Sequence, residues 1–448
     1  MPDPAAGTVD VNALLDAGAW STRQKLLTLL AALAVTFDGF DIQILAFAIP
    51  SLMRDWHVAR SEFGPVLALG LAGMAMGGPL AGYAGDRLGR RPALIASVVL
   101  FGIATIATAF AQGVTGLAIL RFVTGLGAGG ALPNAAALAA EFAPTRRRAT
   151  AVKLTMVCVP LGGMLGGLIA ARVLPAFGWR ALYGIGGTAP LLFAAVLSMA
   201  LPESPRFLAR RPGSWPDLAA LLNRWGHAIA ADTGFEDRAE NLGSDRHSPI
   251  ASMRTLFSPA LARDTVGLWI AFFFCLGSIY LVFGWLPSLL SAQGLSASAA
   301  SSGLASYNFG GVLGVLCLTA VLTMLGSRAP MLIGSLATAA SALAILLVPI
   351  GSVNWLIAGI ALNGFLANAI QTALYALAAH VYPTGVRSSG VACASAVGRV
   401  GGLISSLSGA AVIQSGASGY WVCLAIAMIL TFGGLASIRN HLPGPRLS

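Results

Sequence analysis

Two acids stand three residues apart in Phe37-Asp38-Gly39-Phe40-Asp41, inside a long run of otherwise apolar residues. On an α-helix that spacing puts both carboxylates on one face, and Gly39 between them leaves room for a close neighbour. Such a pair is suited to carrying a proton. Low dielectric and a like-charged neighbour are the conditions under which a carboxyl group loads and releases one near neutral pH. The alternative is that both acids pair with arginines and only hold helices together. A charge at membrane depth costs about 2.5–3.5 kcal/mol on insertion scales unless paired or hydrated, so that face must meet a partner or water.

Arg121 and Arg399 complete the set of four charges deep in apolar runs. Arg399 lies in Val397-Gly398-Arg399-Val400-Gly401-Gly402, a glycine-rich segment that can approach a neighbour closely. Its planar guanidinium suits bidentate recognition of a carboxylate, and it could equally be a counter-ion for Asp38 or Asp41. Arg121, in Arg121-Phe122-Val123-Thr124-Gly125-Leu126-Gly127, reads as a pairing or proton-relay residue, and Glu141 joins Asp38, Asp41 and Arg121 in the proton-coupling set. Asn134, Asn308, Asn363, Asn368 and Gln371 lie at comparable depth, with Tyr307, Phe309, Phe365 and Tyr375 close by in sequence. A small acid with an aromatic ring would need such walls and hydrogen-bonding groups. The candidate contacts are Arg399, Asn134, Tyr307, Asn308, Phe309, Asn363, Gln371 and Tyr375, each of which could also be interhelical glue.

A third cluster, Gly82-Tyr83-Ala84-Gly85-Asp86-Arg87-Leu88-Gly89-Arg90-Arg91-Pro92, closes an apolar run. A carboxylate at a helix end, clustered arginines and a turn-permitting glycine can form a charge network latching two packed halves. Its members are Gly82, Asp86, Arg87, Gly89, Arg90 and Arg91. Plain topological charge would explain the arginines but not Asp86 or the glycines.

The elements that carry these residues follow from composition. Of 448 residues 56% are hydrophobic and only 10% charged, with a mean hydropathy of +0.79, where a soluble domain carries roughly 25% charged residues. The apolar residues fall in runs long enough to cross about 30 Å of hydrocarbon. Spans are predicted near 25–48, 62–84, 92–111, 115–138, 151–173, 180–200, 264–287, 300–325, 330–350, 353–380, 389–413 and 418–438. Their length and lack of alternation exclude a β-barrel, so the fold is an all-α membrane protein of twelve transmembrane helices.

The net charge of +10 invites a nucleic-acid reading, but the basic residues follow the positive-inside rule. One side holds Arg87, Arg90, Arg91, Arg146, Arg147, Arg148, Lys153, the arginines of 201–263, Arg328, Arg387, Arg439 and Arg446; the other holds Arg54, Arg60, Arg172 and Arg180. Both termini are therefore expected in the cytoplasm. Asp3, Asp10 and Asp16 precede the first span without a basic stretch, which does not read as a secretory signal. All five cysteines lie in spans and are expected to be free, buried thiols.

The polar stretch 201–263 divides the spans six and six, giving a cytoplasmic segment 1–24, a first half 25–200, a cytoplasmic linker 201–263, a second half 264–438 and a tail 439–448. Ala139-Ala140-Glu141-Phe142-Ala143-Pro144-Thr145-Arg146-Arg147-Arg148 echoes Ala378-Ala379-His380-Val381-Tyr382-Pro383-Thr384-Gly385-Val386-Arg387, each ending the fourth helix of its half. Parallel repeats of this kind assemble around a midplane site for alternating access.

The Gly82–Arg91 loop resembles the Gly-x-x-x-Asp-Arg-x-Gly-Arg-Arg signature of the major facilitator superfamily. Arg121-x-x-x-Gly125-x-Gly127 and Pro202-Glu203-Ser204-Pro205-Arg206-Phe207-Leu208 resemble two further motifs of that superfamily. Within it, Val9-Asp10-Val11 followed by Asp38-Gly39-Phe40-Asp41 is similar to the aromatic acid/proton symporter family. The resemblance implies bacterial inner-membrane import of benzoate-, hydroxybenzoate- or gentisate-type acids, with proton roles for Asp38 and Asp41 and a substrate role for Arg399. It departs from the pattern between Gly314 and Ala329, where no acid lies, and at His380, where a counterpart of Glu141 would be acidic. Val159 before Pro160 departs from the Gly-Pro of antiporters, which weighs against efflux.

A proton-driven symporter of a small aromatic acid is thus expected, with lipid, protons and the acid as partners, no cofactor, no metal, no nucleic acid and no obligate protein partner. The alternatives are a symporter or exporter of another organic solute such as a sugar or aliphatic acid, or a non-transporting sensor of the acid. An enzyme is not expected, since no GxxxxGK[ST], HExxH or GxSxG with triad partners is present.

Overall fold

Every backbone polar group in lipid must find its partner within the chain, so each apolar run coils into a helix. The computed structural model describes residues 8–17, 20–230, 233–237, 255–349, 351–383 and 386–443. A short α1 (Val11–Ala17) precedes four crossing helices, α2 (Thr22–Trp56), α3 (Phe63–Leu88), α4 (Arg90–Thr108) and α5 (Val114–Glu141). The next, α6 (Arg148–Ala200), is 53 residues long, about 80 Å at 1.5 Å per residue, and crosses twice. Gly178 breaks it at φ 73° and ψ −178°, a conformation that only glycine adopts without strain. Short α7 (Pro205–Ala209) and α8 (Trp215–Arg224) follow in the linker. The second half comprises α9 (Ala262–Ala292), α10 (Ala297–Leu325), α11 (Arg328–Ile345), α12 (Val353–Val381), α13 (Arg387–Gln414) and α14 (Gly416–Ser437). Among the described residues eleven helical segments are long and apolar enough to cross a membrane, and the double length of α6 makes twelve crossings.

The two halves repeat one packing scheme. In the first, α2 packs on the first limb of α6, α3 on α5, and α4 on the second limb of α6; in the second, α9 packs on α13, α10 on α12, and α11 on α14. Helix 1 of each half thus pairs with helix 5, 2 with 4, and 3 with 6. Across the halves, α6 meets α10 and α3 meets α13, contacts that a twofold axis along the membrane normal would interchange.

The halves are closed at one end only. A Cβ built on Gly64, at the end of α3 away from the linker, would lie 3.1 Å from the Leu407 carbonyl oxygen. On Gly78 it would lie 3.8 Å from Arg399, and on Gly82, one turn nearer the linker, it meets nothing within 4 Å. The cleft between the halves therefore opens toward the linker.

The linker is partly ordered. Val9–Asp10 (β1) pairs in parallel with Phe235–Glu236 (β2), the one departure from an all-α chain among the described residues. Val11, Leu15, Leu218, Leu222 and Phe235 form a small core there. Asp237 is its polar hub, bonded by Arg206 at 3.0 and 3.1 Å, Arg210 at 3.3 Å and Asn12 at 2.7 Å. Burial by itself would raise the Asp237 carboxyl, but these bonds outweigh it and hold the group below its ordinary 3.8. Asp3, Thr384, Gly385, residues 238–254 of the linker and Arg446 lie outside the described residues.

The cysteine expectation needs correction. All five thiols are free, but only Cys158 and Cys275 are buried, while Cys317 is exposed and Cys393 and Cys423 are half-buried. A crossing helix has a lipid-facing side, so lying in a span does not bury a residue.

Candidate functional site

The two acids of α2 share a face but not an environment. Gly39 lets α2 lie against the Val159 backbone of α6, and Asp38 and Asp41 are only 1% and 2% exposed. Asp41 is fully engaged. Arg121 Nη1 lies 3.2 Å from its Oδ2, Arg121 Nη2 donates to its carbonyl oxygen at 3.2 Å, and Thr105 Oγ1 donates to its Oδ1 at 2.8 Å. Asp38 is left unmatched: its Oδ1 is buried with no hydrogen-bond partner among the described residues. Asp41 and Arg399 are its charged neighbours.

Arg399 enters from the other half. It is half-buried on α13, reaches toward Gly78 of α3, and makes no salt bridge within 4 Å among the described residues. Rings surround it. Tyr280 lies within electrostatic range of both Arg399 and Asp38, and Tyr280, Phe283 and Tyr307 run edge to face at 6.2 and 6.0 Å. Tyr375 packs edge-on against Phe272 at 5.0 Å, its hydroxyl 3.1 Å from Ser395 Oγ, with half-buried Gln371 one turn earlier on the same helix. An unpaired guanidinium among rings can hold a carboxylate whose ring lies against those walls.

The remaining predicted contacts are dispersed. Asn308 exchanges amide hydrogen bonds with Gln43 of the opposite half, at 2.7 Å from Asn308 Nδ2 and 3.1 Å from Gln43 Nε2, with both side chains fully buried. Gly163 makes room, since a Cβ there would fall 2.6 Å from Asn308 Oδ1. Asn134 instead ties α5 to α3 through the Ala81 carbonyl and bonds the Gly130 carbonyl of its own helix, and Asn363 ties α12 to α11 through Thr338 and Ser341. Asn368 bonds the Gly364 carbonyl on its own helix. Phe309 is 50% exposed on a stripe with Leu313 and Leu316, spaced for one lipid-facing side of α10. Asn134, Asn363 and Phe309 thus serve helix packing or lipid contact rather than the central cleft. Tyr307 is buried beside Phe283 with its hydroxyl unpartnered among the described residues.

At the linker end the charge cluster is corrected in one respect: its partners all belong to the first half and the linker. Arg90 pairs with Asp86 and reaches the Gly82 carbonyl, Arg91 bonds the Ser198 carbonyl, Arg211 bonds the Arg87 carbonyl, and Arg87 stacks 4.6 Å over Tyr83. The cleft is open at this end, so the network cannot reach across it in this conformation. Its centre is Glu203. The Glu203 carboxylate accepts from the backbone amides of Arg90 at 3.0 Å, Arg91 at 3.1 Å and Ser204 at 2.8 Å, capping α4 where Gly89 (φ 117°) offers no side chain. Burial pushes its carboxyl above the usual range, and the three amides oppose that. Glu141 is held by the Ser204 hydroxyl, beside this network rather than near Asp38.

Gln43, Thr105 and Tyr280 are absent from the residues that sequence picks out, and Glu203 appears there only inside a family motif, with no role assigned. Gln43 was findable, as a polar side chain two residues past Asp41 in an apolar run. Thr105 and Tyr280 carry no such signal, because threonine and tyrosine are ordinary in spans. Among the described residues no cluster of His, Cys, Asp or Glu could hold a metal ion.

A two-half bundle of membrane-crossing helices, with unlike charges from the two halves brought together where they meet, is the architecture of a secondary transporter. The chain belongs to the Major Facilitator Superfamily, whose family model matches residues 31–406 and 268–446. It is 36% identical over 446 residues to a gallate transporter of Pseudomonas putida, covering 99% of this chain and 96% of that one. It is 33% identical over 413 residues to the 4-hydroxybenzoate transporter PcaK of Acinetobacter baylyi, covering 91% and 88%. The inward-open xylose transporter XylE of Escherichia coli has the same fold, with a TM-score of 0.73 at 19% identity over 93% of this chain and 97% of that one.

Proposed function

We propose that this chain imports a small aromatic carboxylic acid together with protons, by alternating access in a bacterial inner membrane, with both termini and the linker cytoplasmic. The proton gradient supplies the energy and no cofactor is required. The observation that carries the reading is the asymmetry of the central charges: Asp41 is neutralised by Arg121, while Asp38 and Arg399 face each other from opposite halves without a salt bridge.

Asp38 and an incoming carboxylate compete for the field of Arg399. A proton on Asp38 removes the competing charge and leaves the guanidinium to the substrate, so proton and acid load together. Release to the cytoplasm reverses both steps. Asp41, Arg121 and Thr105 fix the face on which Asp38 works, and the rings of Tyr280, Phe283 and Tyr375 receive the aromatic ring. The Asp86–Arg90 cluster and Glu141 act as the cytoplasmic frame of the first half. The aromatic-acid transporters to which the chain is similar support this substrate class.

The test is accumulation of labelled benzoate, 4-hydroxybenzoate, 3-hydroxybenzoate, gentisate and gallate in cells producing the protein, with and without a protonophore. Protonophore-sensitive accumulation of at least one acid is expected. Accumulation of a sugar or aliphatic acid, with none of these, would replace the substrate class and leave the fold intact.

A further inference from the structure

At the end away from the linker, where the halves are closed, a cleft of about 330 Å³ is lined by Met53, Arg54 and Arg60 from the first half and by Ser288, Ser291 and Ser296 from the second. No acid lines it. Neither arginine makes a salt bridge within 4 Å among the described residues, and Arg60 Nε is buried without a hydrogen-bond partner. Arg54 bonds only to its own helix, at the Pro50 carbonyl (3.3 Å) and Ser51 Oγ (3.4 Å). The nearby acid Asp55 is already taken, by Trp179 Nε1 at 2.7 Å and Arg180 at 3.9 Å.

Arginines on this side run against the positive-inside bias, and these two converge on the seam that must part to admit a solute. We infer that the cleft is a capture site for the carboxylate of the incoming acid: Arg54 and Arg60 attract the anion, serine hydroxyls donate to it, and Met53 and Leu295 meet its ring. The inference rests on the proposed import of an aromatic acid and adds a station outside the closed gate. Unpaired cations in a cleft with low-dielectric walls raise the local concentration of an anion, and salt screens the effect.

The experiment compares the unmodified protein with Arg60→Gln and Arg54→Gln/Arg60→Gln in vesicles of zwitterionic lipid, so that no anionic headgroup competes. Transport of benzoate, 4-hydroxybenzoate, 3-hydroxybenzoate, gentisate and gallate is measured in both directions at low and high salt, and the KM comparison uses the acids that the unmodified protein moves. KM for uptake from the Arg60 side is expected to rise about three- to tenfold in the double variant, with unchanged maximal rate, a flattened salt dependence and an unchanged KM from the linker side. An unchanged uptake KM, or equal shifts in both directions as a purely structural role would give, overturns the capture site. Failure of the unmodified protein to move any aromatic acid overturns the functional reading beneath it, and the two failures are told apart by that control.

Discussion

The Gln43–Asn308 pair gives a number that can be checked. Each amide satisfies the other across the seam, at 2.7 and 3.1 Å, and both are fully buried. Replacing Asn308 by an apolar residue of similar shape leaves the Gln43 amide buried and unpaired, and replacing Gln43 strands Asn308 Oδ1 while Asn308 Nδ2 keeps the Leu304 carbonyl at 2.8 Å, each at a cost of about 1–3 kcal/mol. Gln43→Met and Asn308→Leu should each lower stability by that amount. Together they remove both polar groups, so the double variant should cost less than the sum, with a coupling of about 1–3 kcal/mol. Unfolding midpoints of the purified transporter in detergent, measured for all four proteins, complete the cycle. Strict additivity would refute the claim that these amides depend on each other, and with it the pairing that joins the halves at the cleft.

Other expectations follow from the same geometry. Glu203→Ala removes the side-chain cap of α4 and should cost about 1 kcal/mol, read as a lower thermal midpoint; an unchanged midpoint would mean that water replaces the cap. Tyr280→Phe keeps the ring packed on Gly402 but removes a hydroxyl beside Arg399. KM for benzoate should rise about tenfold if that hydroxyl bonds the bound carboxylate, and an unmoved KM would exclude the contact. The Asp237 hub carries a pH dependence. Because its folded-state carboxyl is held below the ordinary 3.8, its contribution is present above that value and is lost as pH falls through the lowered one. The hydrogen-exchange protection of residues 8–17, referenced to the intrinsic rate at each pH, should therefore fall in acid, and Asp237→Asn should show low protection already at neutral pH. Protection that is the same in both proteins at neutral pH would show that the hub does not hold the N-terminal segment.

Much of this was legible because lipid punishes exceptions. Twelve crossings, their division into two sets of six and the depth of Asp38, Asp41, Arg121 and Arg399 follow from hydropathy alone, since nothing but function or pairing retains a charge at that depth. Sequence could not say that Arg121 would choose Asp41 and leave Asp38 open, because helix rotation and neighbour choice decide that. Asn134 and Asn363 show the same limit: a polar residue in a span serves the neighbouring helix as readily as the cleft, and only packing tells which. Phe309 sits one residue from Asn308 yet points to lipid, about 100° around the helix. The annex that joins Val9 to Phe235 depends on a contact across more than two hundred residues, beyond any local pattern.

The central claim is that Asp38 carries the proton that admits the substrate. Asp38→Asn mimics the protonated carboxyl, so the protein should still bind labelled benzoate and exchange it between the two sides of a vesicle, while accumulation driven by a pH gradient is lost. Accumulation by Asp38→Asn equal to that of the unmodified protein, under the same gradient and at the same protein level, would contradict the account.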